Sequence, residues 1–300
     1  MMDYEKIIYD KDPPLGRIIL NQPEKRNPLG YQRLFEIADA LKEMERDGEI
    51  KVIIIKGEGP CFSAGYDLTP IPSGGPQLNQ PANGVYTAEG RDRTWGSYNR
   101  EHLRVYYTIW DLQLPVIAQI HSYCLGGATE LSAFCDIRFV SDDVVIGWPV
   151  ARDGSPGDIQ YAPWVIGMTK AREIYYTGDT MSGEEAWRVG WATRVYPREK
   201  LEEETEQFAQ RMAMIETDLI MMSKRNINRQ MEIMGFRTGT ASFAVDFLTA
   251  AGTRASAGEF ARLRDEKGLK AALDWRDGKF GDLRTSEASK VARVARGGKA

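Results

Sequence analysis

Two short apolar runs constrain this chain more than any other feature. "KVIIIKG" (Lys51 to Gly57) and "PVIAQI" (Pro115 to Ile120) are rich in β-branched residues, and neither alternates with polar ones. Runs of that kind are expected as strands buried in a sheet covered on both faces. Each leads into a glycine-bearing turn, "FSAGYDL" (Phe62 to Leu68) after the first and "LGGATE" (Leu125 to Glu130) after the second. "GRIILN" (Gly16 to Asn21) is a third strand. "LGYQRLFEIADALKEMERD" sets Leu34, Ile37, Ala38, Leu41 and Met44 at helical spacing. Continuous apolar strands alternating with amphipathic helices predict an α/β core with at least partly parallel strands.

Glu130 is the residue that this framework does not explain. It stands between a buried strand and the apolar Leu131, Ala133, Phe134 and Cys135. A carboxylate there is costly to bury unless it is paired, hydrogen-bonded or protonated. Glycines supply tight turns and leave backbone N–H groups unobstructed. Two such amides converging on one point would form an oxyanion hole, strengthened where one of them opens a helix.

Composition narrows the chemistry. A net charge of −4 gives no support to nucleic-acid binding, which usually shows a basic surface or stripe. Cys61, Cys124 and Cys135 are odd in number and lack CxxC spacing, which fits neither a disulfide framework nor a zinc site and suits a reducing compartment. With only His102 and His121, histidine triads and multi-histidine metal centres are not expected. The first residues, "MMDYEKIIYDKDPP", carry charge where a signal peptide would carry an apolar segment. No apolar run approaches the ~20 residues of a membrane span. The expectation is a cytoplasmic protein with no membrane partner and no metal.

Residues 70–96 are rich in Pro, Gly and Asn and read as a long loop or lid. A helix is expected from Tyr98 to Leu112, with Leu103, Tyr106, Tyr107 and Trp110 along one side. The second half is mainly helical, and Ser182 with Glu185 fits a capping box. We expect an α/β core over 1–205, a helical region over 206–282 and a loosely ordered basic tail over 283–300.

Taken together, the two glycine turns resemble those of the crotonase (enoyl-CoA hydratase/isomerase) superfamily. "LNQPEKRNPLG", "CDIRFVSDDVVIG", "TGDTMSGEEAWRVGWATRVYP" and "EKGLKAALDWRDGKFGD" extend the likeness in the expected order, over roughly Tyr4 to Asp282. The resemblance implies a crotonase (ClpP-like) fold, with a repeated ββα core and a C-terminal helical region. It implies an acyl-CoA thioester substrate and an enolate-like oxygen held by the amides of Tyr66 and Gly127. Glu130 matches the family's first catalytic glutamate, three residues after the oxyanion glycine. No separate cofactor is implied, since CoA arrives with the substrate. A homotrimer or homohexamer is implied as well.

The chain also departs from the pattern. Typical hydratases carry a second glutamate in a "xPE" turn, and the corresponding stretch here is "GWPVARDGSPGD", with Val150 at that position. Asp153 and Asp158 are the carboxylates that could replace it, and Asp158 is preferred. Lys25 and Arg26 match basic positions near the CoA phosphates and adenine, and Lys279 and Phe280 match tail residues that reach the nucleotide end. Ala64, Asp67, Leu68, Gly126, Trp148 and Val150 complete the expected substrate-binding set. Trp95, Trp110 and Trp164 are further acyl-pocket candidates, although aromatics at helical spacing more often build core. The functional expectation is an enoyl-CoA hydratase-type lyase acting on an unsaturated, bulky or cyclic acyl-CoA. Enoyl-CoA isomerisation and thioester or ring-carbon hydrolysis are the alternatives on the same fold. A non-catalytic RNA-binding homologue is a more distant one.

Overall fold

The structure, a computed structural model, describes residues 4–69, 105–153, 157, 159–241 and 258–281. The expected lid at 70–96, Trp95, Asp158 and the tail over 283–300 lie outside the described residues. A six-stranded sheet organises the rest. Its strands are β1 (Ile7–Asp12), β2 (Leu15–Leu20), β3 (Val52–Gly57), β4 (Val116–Ile120), β6 (Ile137–Ser141) and β9 (Arg194–Tyr196), hydrogen-bonded in that order. Only β1 and β2 pair antiparallel; every other neighbouring pair is parallel. A second, smaller sheet consists of β5 (Tyr123–Leu125), β7 (Val145–Gly147) and β8 (Thr180–Ser182). The repeated strand–strand–helix plan expected for the core is present.

Strand β3 shows why its sequence has no polar alternation. Val52, Ile53, Ile54 and Ile55 are all fully buried. Successive side chains of a strand point to opposite faces. Ile53 and Ile55 accordingly join the larger core with α1 (Tyr31–Asp47), while Val52 and Ile54 join Leu15, Ile117 and Phe139 on the other face. Leu201, Ala209 and Ala213 of α6 (Leu201–Ala213) close that second face, and the helix runs across the expected 205/206 division.

Helix α2 occupies residues 105–111, and α3 (Gly127–Ala133) follows β5 directly. Next come α4 (Ala162–Thr177) and α5 (Gly183–Arg188). The Ser182 hydroxyl caps α5 by accepting the Glu185 amide at 3.3 Å, as the capping-box spacing requires. Helices α7 (Thr217–Ile233), α8 (Phe236–Ala241), α9 (Glu259–Lys267) and α10 (Leu269–Asp277) form the C-terminal region. Trp110 stacks on Phe236 at 4.3 Å between centroids, and Trp164 meets the same ring edge-on at 5.6 Å. Both tryptophans are partly buried and pack against the larger core.

His121 directly follows β4 and is 5% exposed. Its Nε2–H donates to the Gly59 carbonyl at 3.0 Å, tying β4 to the loop after β3. Burial, aided by the nearby Arg198 charge, pushes the imidazole down from its ordinary 6.5 to about 4. In the unfolded chain the ring protonates near pH 6.5, so below that pH the unfolded state binds the extra proton first. Stability is therefore lost as pH falls from 6.5 towards 4. We expect His121→Gln, whose amide can still donate, to lower the stability difference between pH 7 and pH 5 by about 2 kcal/mol. Urea unfolding at both pH values measures it, and equal pH dependence in the two proteins would refute it.

Candidate active site

The two glycine turns run side by side because the strand segments feeding them pair. The Phe62 amide donates to His121 O at 2.9 Å and the Ser63 amide to Tyr123 O at 3.0 Å, while the Leu125 amide returns to Ser63 O at 3.3 Å. Asn27 secures the first turn from behind. Fully buried and left-handed at φ 52, it sends its amide nitrogen to the carbonyls of Glu58, Cys61 and Phe62 at 2.9, 2.9 and 3.2 Å. Its own carbonyl accepts the Ser63 hydroxyl at 2.7 Å. Asparagine tolerates the left-handed region better than most residues, and that preference is the signal by which "RNPLG" could have been read as a structural knot.

Gly65 has φ +98, and a Cβ there would lie 2.5 Å from Leu125 O and 3.5 Å from the Gly127 nitrogen. The two turns are thus in backbone contact. Gly127 opens α3, so its N–H has no acceptor within the helix and points outward with the positive end of the helix dipole. An oxygen that gains negative charge between the Tyr66 and Gly127 amides would be stabilised there.

Glu130 sits one turn into α3 and is fully buried. Both carboxylate oxygens are engaged. Oε1 accepts the Ile159 amide at 3.0 Å, and Oε2 accepts the Tyr66 hydroxyl. The Tyr66 hydroxyl is also 2.7 Å from that of Tyr106 on α2. Tyr66's ring abuts the helix start: a Cβ on Gly127 would fall 2.5–2.7 Å from three of its carbons. The question posed by the lone glutamate is answered by donors, one of them a phenol.

At the other end of α3, Arg138 donates to the carbonyls of Cys135 at 2.9 Å and Ala133 at 3.2 Å, which complements the negative end of the dipole.

The remaining expected residues fall in three groups. Trp148 and Val150 belong with Glu130's neighbourhood. Trp148 is buried and meets Tyr66 edge-on at 6.5 Å between centroids, and the Val150 methyl lies 3.5 Å from a Cβ built on Gly126. Lys25 and Arg26 stand exposed on a turn beside the first glycine loop. Ala64, itself exposed, donates its amide to Arg26 O at 2.9 Å, and the Arg26 guanidinium lies over the Tyr123 ring. Asp67 accepts the Thr69 amide at 2.9 Å, and Leu68 O accepts a long bond from Arg264 at 3.4 Å.

Phe280 packs on Arg152, with Lys279 beside it. That guanidinium lies 4.3 Å over the Phe280 ring, pairs with Asp179 at 3.1 Å and reaches Asp277 at 3.4 Å. Lys279 in turn lies over the same ring at 5.1 Å. Asp153 ends the short 3-10 turn that carries Val150 and Arg152, its amide donating to Val150 O at 3.2 Å. Among the described residues no cluster of His, Cys, Asp and Glu could hold a metal ion, and no helix is long and apolar enough to cross a membrane.

Comparison with known proteins agrees with this geometry. The family described as enoyl-CoA hydratase/isomerase matches residues 13–246. A crotonyl-CoA hydratase of Syntrophomonas wolfei is 29% identical over 77% of this chain and 84% of its own length. A short-chain-enoyl-CoA hydratase of Clostridium acetobutylicum is 27% identical with the same two coverages. Among solved structures, an enoyl-CoA hydratase/isomerase from Xanthobacter autotrophicus Py2 superposes with a TM-score of 0.82 at 29% identity, over 93% of this chain and all of that one. The chain belongs to the enoyl-CoA hydratase/isomerase family of the crotonase superfamily and is an enzyme of the enoyl-CoA hydratase type.

Proposed function

We propose that this enzyme adds water across the double bond of an α,β-unsaturated acyl-CoA, with Glu130 as the base. The observation that carries this reading is a fully buried glutamate three residues beyond the Gly127 amide, with both oxygens hydrogen-bonded. Glu130 takes a proton from water as the water oxygen attacks the β-carbon. The thioester becomes an enolate whose oxygen rests between the Tyr66 and Gly127 amides, and the α-carbon then receives a proton. Preorganised amide donors of this kind supply several kcal/mol of transition-state stabilisation.

The hydrogen bond between their turn and the first glycine loop supports Lys25 and Arg26 as the residues that meet the CoA phosphates. Three buried free thiols support a reducing, cytoplasmic setting. Leu219, Met222, Ile227 and Ile233 are each more than half exposed on α7, which supports a trimer or hexamer that covers them.

Val150 is the observation that favours a second reading. An apolar side chain beside Gly126 transfers no proton, and double-bond migration through Glu130 alone would need none from it. Asp158 is the sequence-derived candidate for the missing acid; the amide that follows it, Ile159, is the one bound to Glu130. Incubation with linear and cyclic enoyl-CoA esters in H₂¹⁸O, followed by mass spectrometry, separates the readings. An intact thioester carrying one added labelled water is the expected product. A shifted double bond without label would replace hydration by isomerisation, and labelled free acid with released CoA would mean hydrolysis.

A further inference from the structure

We propose that the Tyr66 side chain, as distinct from its amide, is the second proton-transfer group of the reaction, with Tyr106 as its positioning residue. This inference rests on the acyl-CoA reading above. Four observations converge on it. The phenol hydroxyl donates to Glu130 Oε2, so wherever Glu130 reaches the reacting carbons the hydroxyl is within one hydrogen bond of the same place. The ring lies on Gly127, the residue whose amide would hold the thioester oxygen. The position that usually supplies the second acid carries Val150, whose methyl faces the same turn. Finally, Tyr66 and Tyr106 oxygens are 2.7 Å apart. With the Tyr66 proton directed at Glu130, the Tyr106 hydroxyl is the donor of that pair, which gives an ordered line from Tyr106 through Tyr66 to Glu130.

The proton inventory closes without any further reactant. Water loses one proton to Glu130 as its oxygen bonds to the β-carbon and the π electrons move to the thioester as an enolate. Tyr66 O–H then breaks and its proton bonds to the α-carbon, which collapses the enolate to the thioester. The resulting phenolate takes the proton from Glu130 along the hydrogen bond already present. Both groups return to their starting states, and one water has been added. Trp148, edge-on to the Tyr66 ring, and the Tyr106 hydroxyl, 2.7 Å from that of Tyr66, flank the phenol.

The test is steady-state kinetics of the full-length enzyme with the enoyl-CoA ester that wild type hydrates fastest. Tyr66→Phe is expected to lower kcat by about 10²–10³-fold, with KM changed by less than about threefold. Tyr106→Phe should cost about tenfold, and Asp158→Asn less than about fivefold, in keeping with general acid–base contributions of this size. Replacing Tyr66 by 2,3-difluorotyrosine, whose hydroxyl is more acidic, should restore turnover and move the alkaline limb of kcat to lower pH. A merely structural phenol would leave that limb in place. The proposal falls if Tyr66→Phe retains kcat within about threefold of wild type, if Asp158→Asn takes the large loss instead, or if the fluorinated enzyme's alkaline limb is unmoved. Wild type inert towards every enoyl-CoA ester would instead overturn the acyl-CoA reading itself, and this inference with it.

Discussion

Glu130→Gln is expected to bind acyl-CoA esters about as tightly as wild type while losing about 10²–10⁴-fold in kcat. Glutamine is close in shape and retains an oxygen to accept either the Ile159 amide or the Tyr66 hydroxyl, so α3 and the glycine turns keep their positions. What is lost is the capacity to take a proton from water. Equilibrium binding of a saturated acyl-CoA alongside turnover of the unsaturated one separates the two effects. Turnover within threefold of wild type would remove Glu130 from the chemistry, whereas loss of binding would recast it as an element of the pocket wall.

The second large effect concerns stability. Lys224 of α7 is 6% exposed at its side chain and donates to the carbonyls of Ile109 and Leu114 at 3.1 and 3.0 Å and to Asp136 Oδ2 at 2.8 Å. The Val116 amide donates to that same oxygen at 2.7 Å. The pair therefore binds the C-terminal helical region to the start of β4, the strand that leads to the site. Burial pushes the Asp136 carboxyl up, and the Lys224 charge opposes it. Removing Asp136 leaves the buried Lys224 ammonium with carbonyl partners alone, and because the Asp136 side chain is itself 24% exposed the cost falls below that of a fully buried pair, at about 2–3 kcal/mol. Asp136→Ala should therefore lower Tm by about 4–6 °C. The double variant Asp136→Ala with Lys224→Met should recover most of that loss. A single variant that melts within 2 °C of wild type would show that the pair is solvated and contributes little.

Much of this arrangement can be read before any coordinates. Strand β3 is legible because both its faces are buried, which leaves no polar alternation to confuse with a surface strand. Ser182 and Glu185 announce the start of α5 because a cap depends only on residues three apart. Glu130 is conspicuous because a carboxylate among apolar neighbours needs a reason. What cannot be read is contact between residues far apart in the chain. Tyr106 looks like one more core aromatic on the side of α2, and its ring is indeed buried, but its hydroxyl meets Tyr66 forty residues away. The Ile159 amide has no side-chain signature at all. Phe280 lies on Arg152, and nothing local in "PVARDG" announces that contact across the chain.

Arg152 also bears on how the protein is made. Its side chain is 1% exposed, and one of the carboxylates that neutralise it, Asp277, lies 125 residues further along the chain. During synthesis the sheet, α3 and the glycine turns can all form while α10 is still inside the ribosome. Arg152 can meet Asp179 and the Thr177 carbonyl early, but its contacts with Asp277 and Phe280 must wait until α10 has emerged. Full neutralisation of Arg152 is therefore among the last steps of folding on the ribosome, timed by translation and not by the speed of sheet formation.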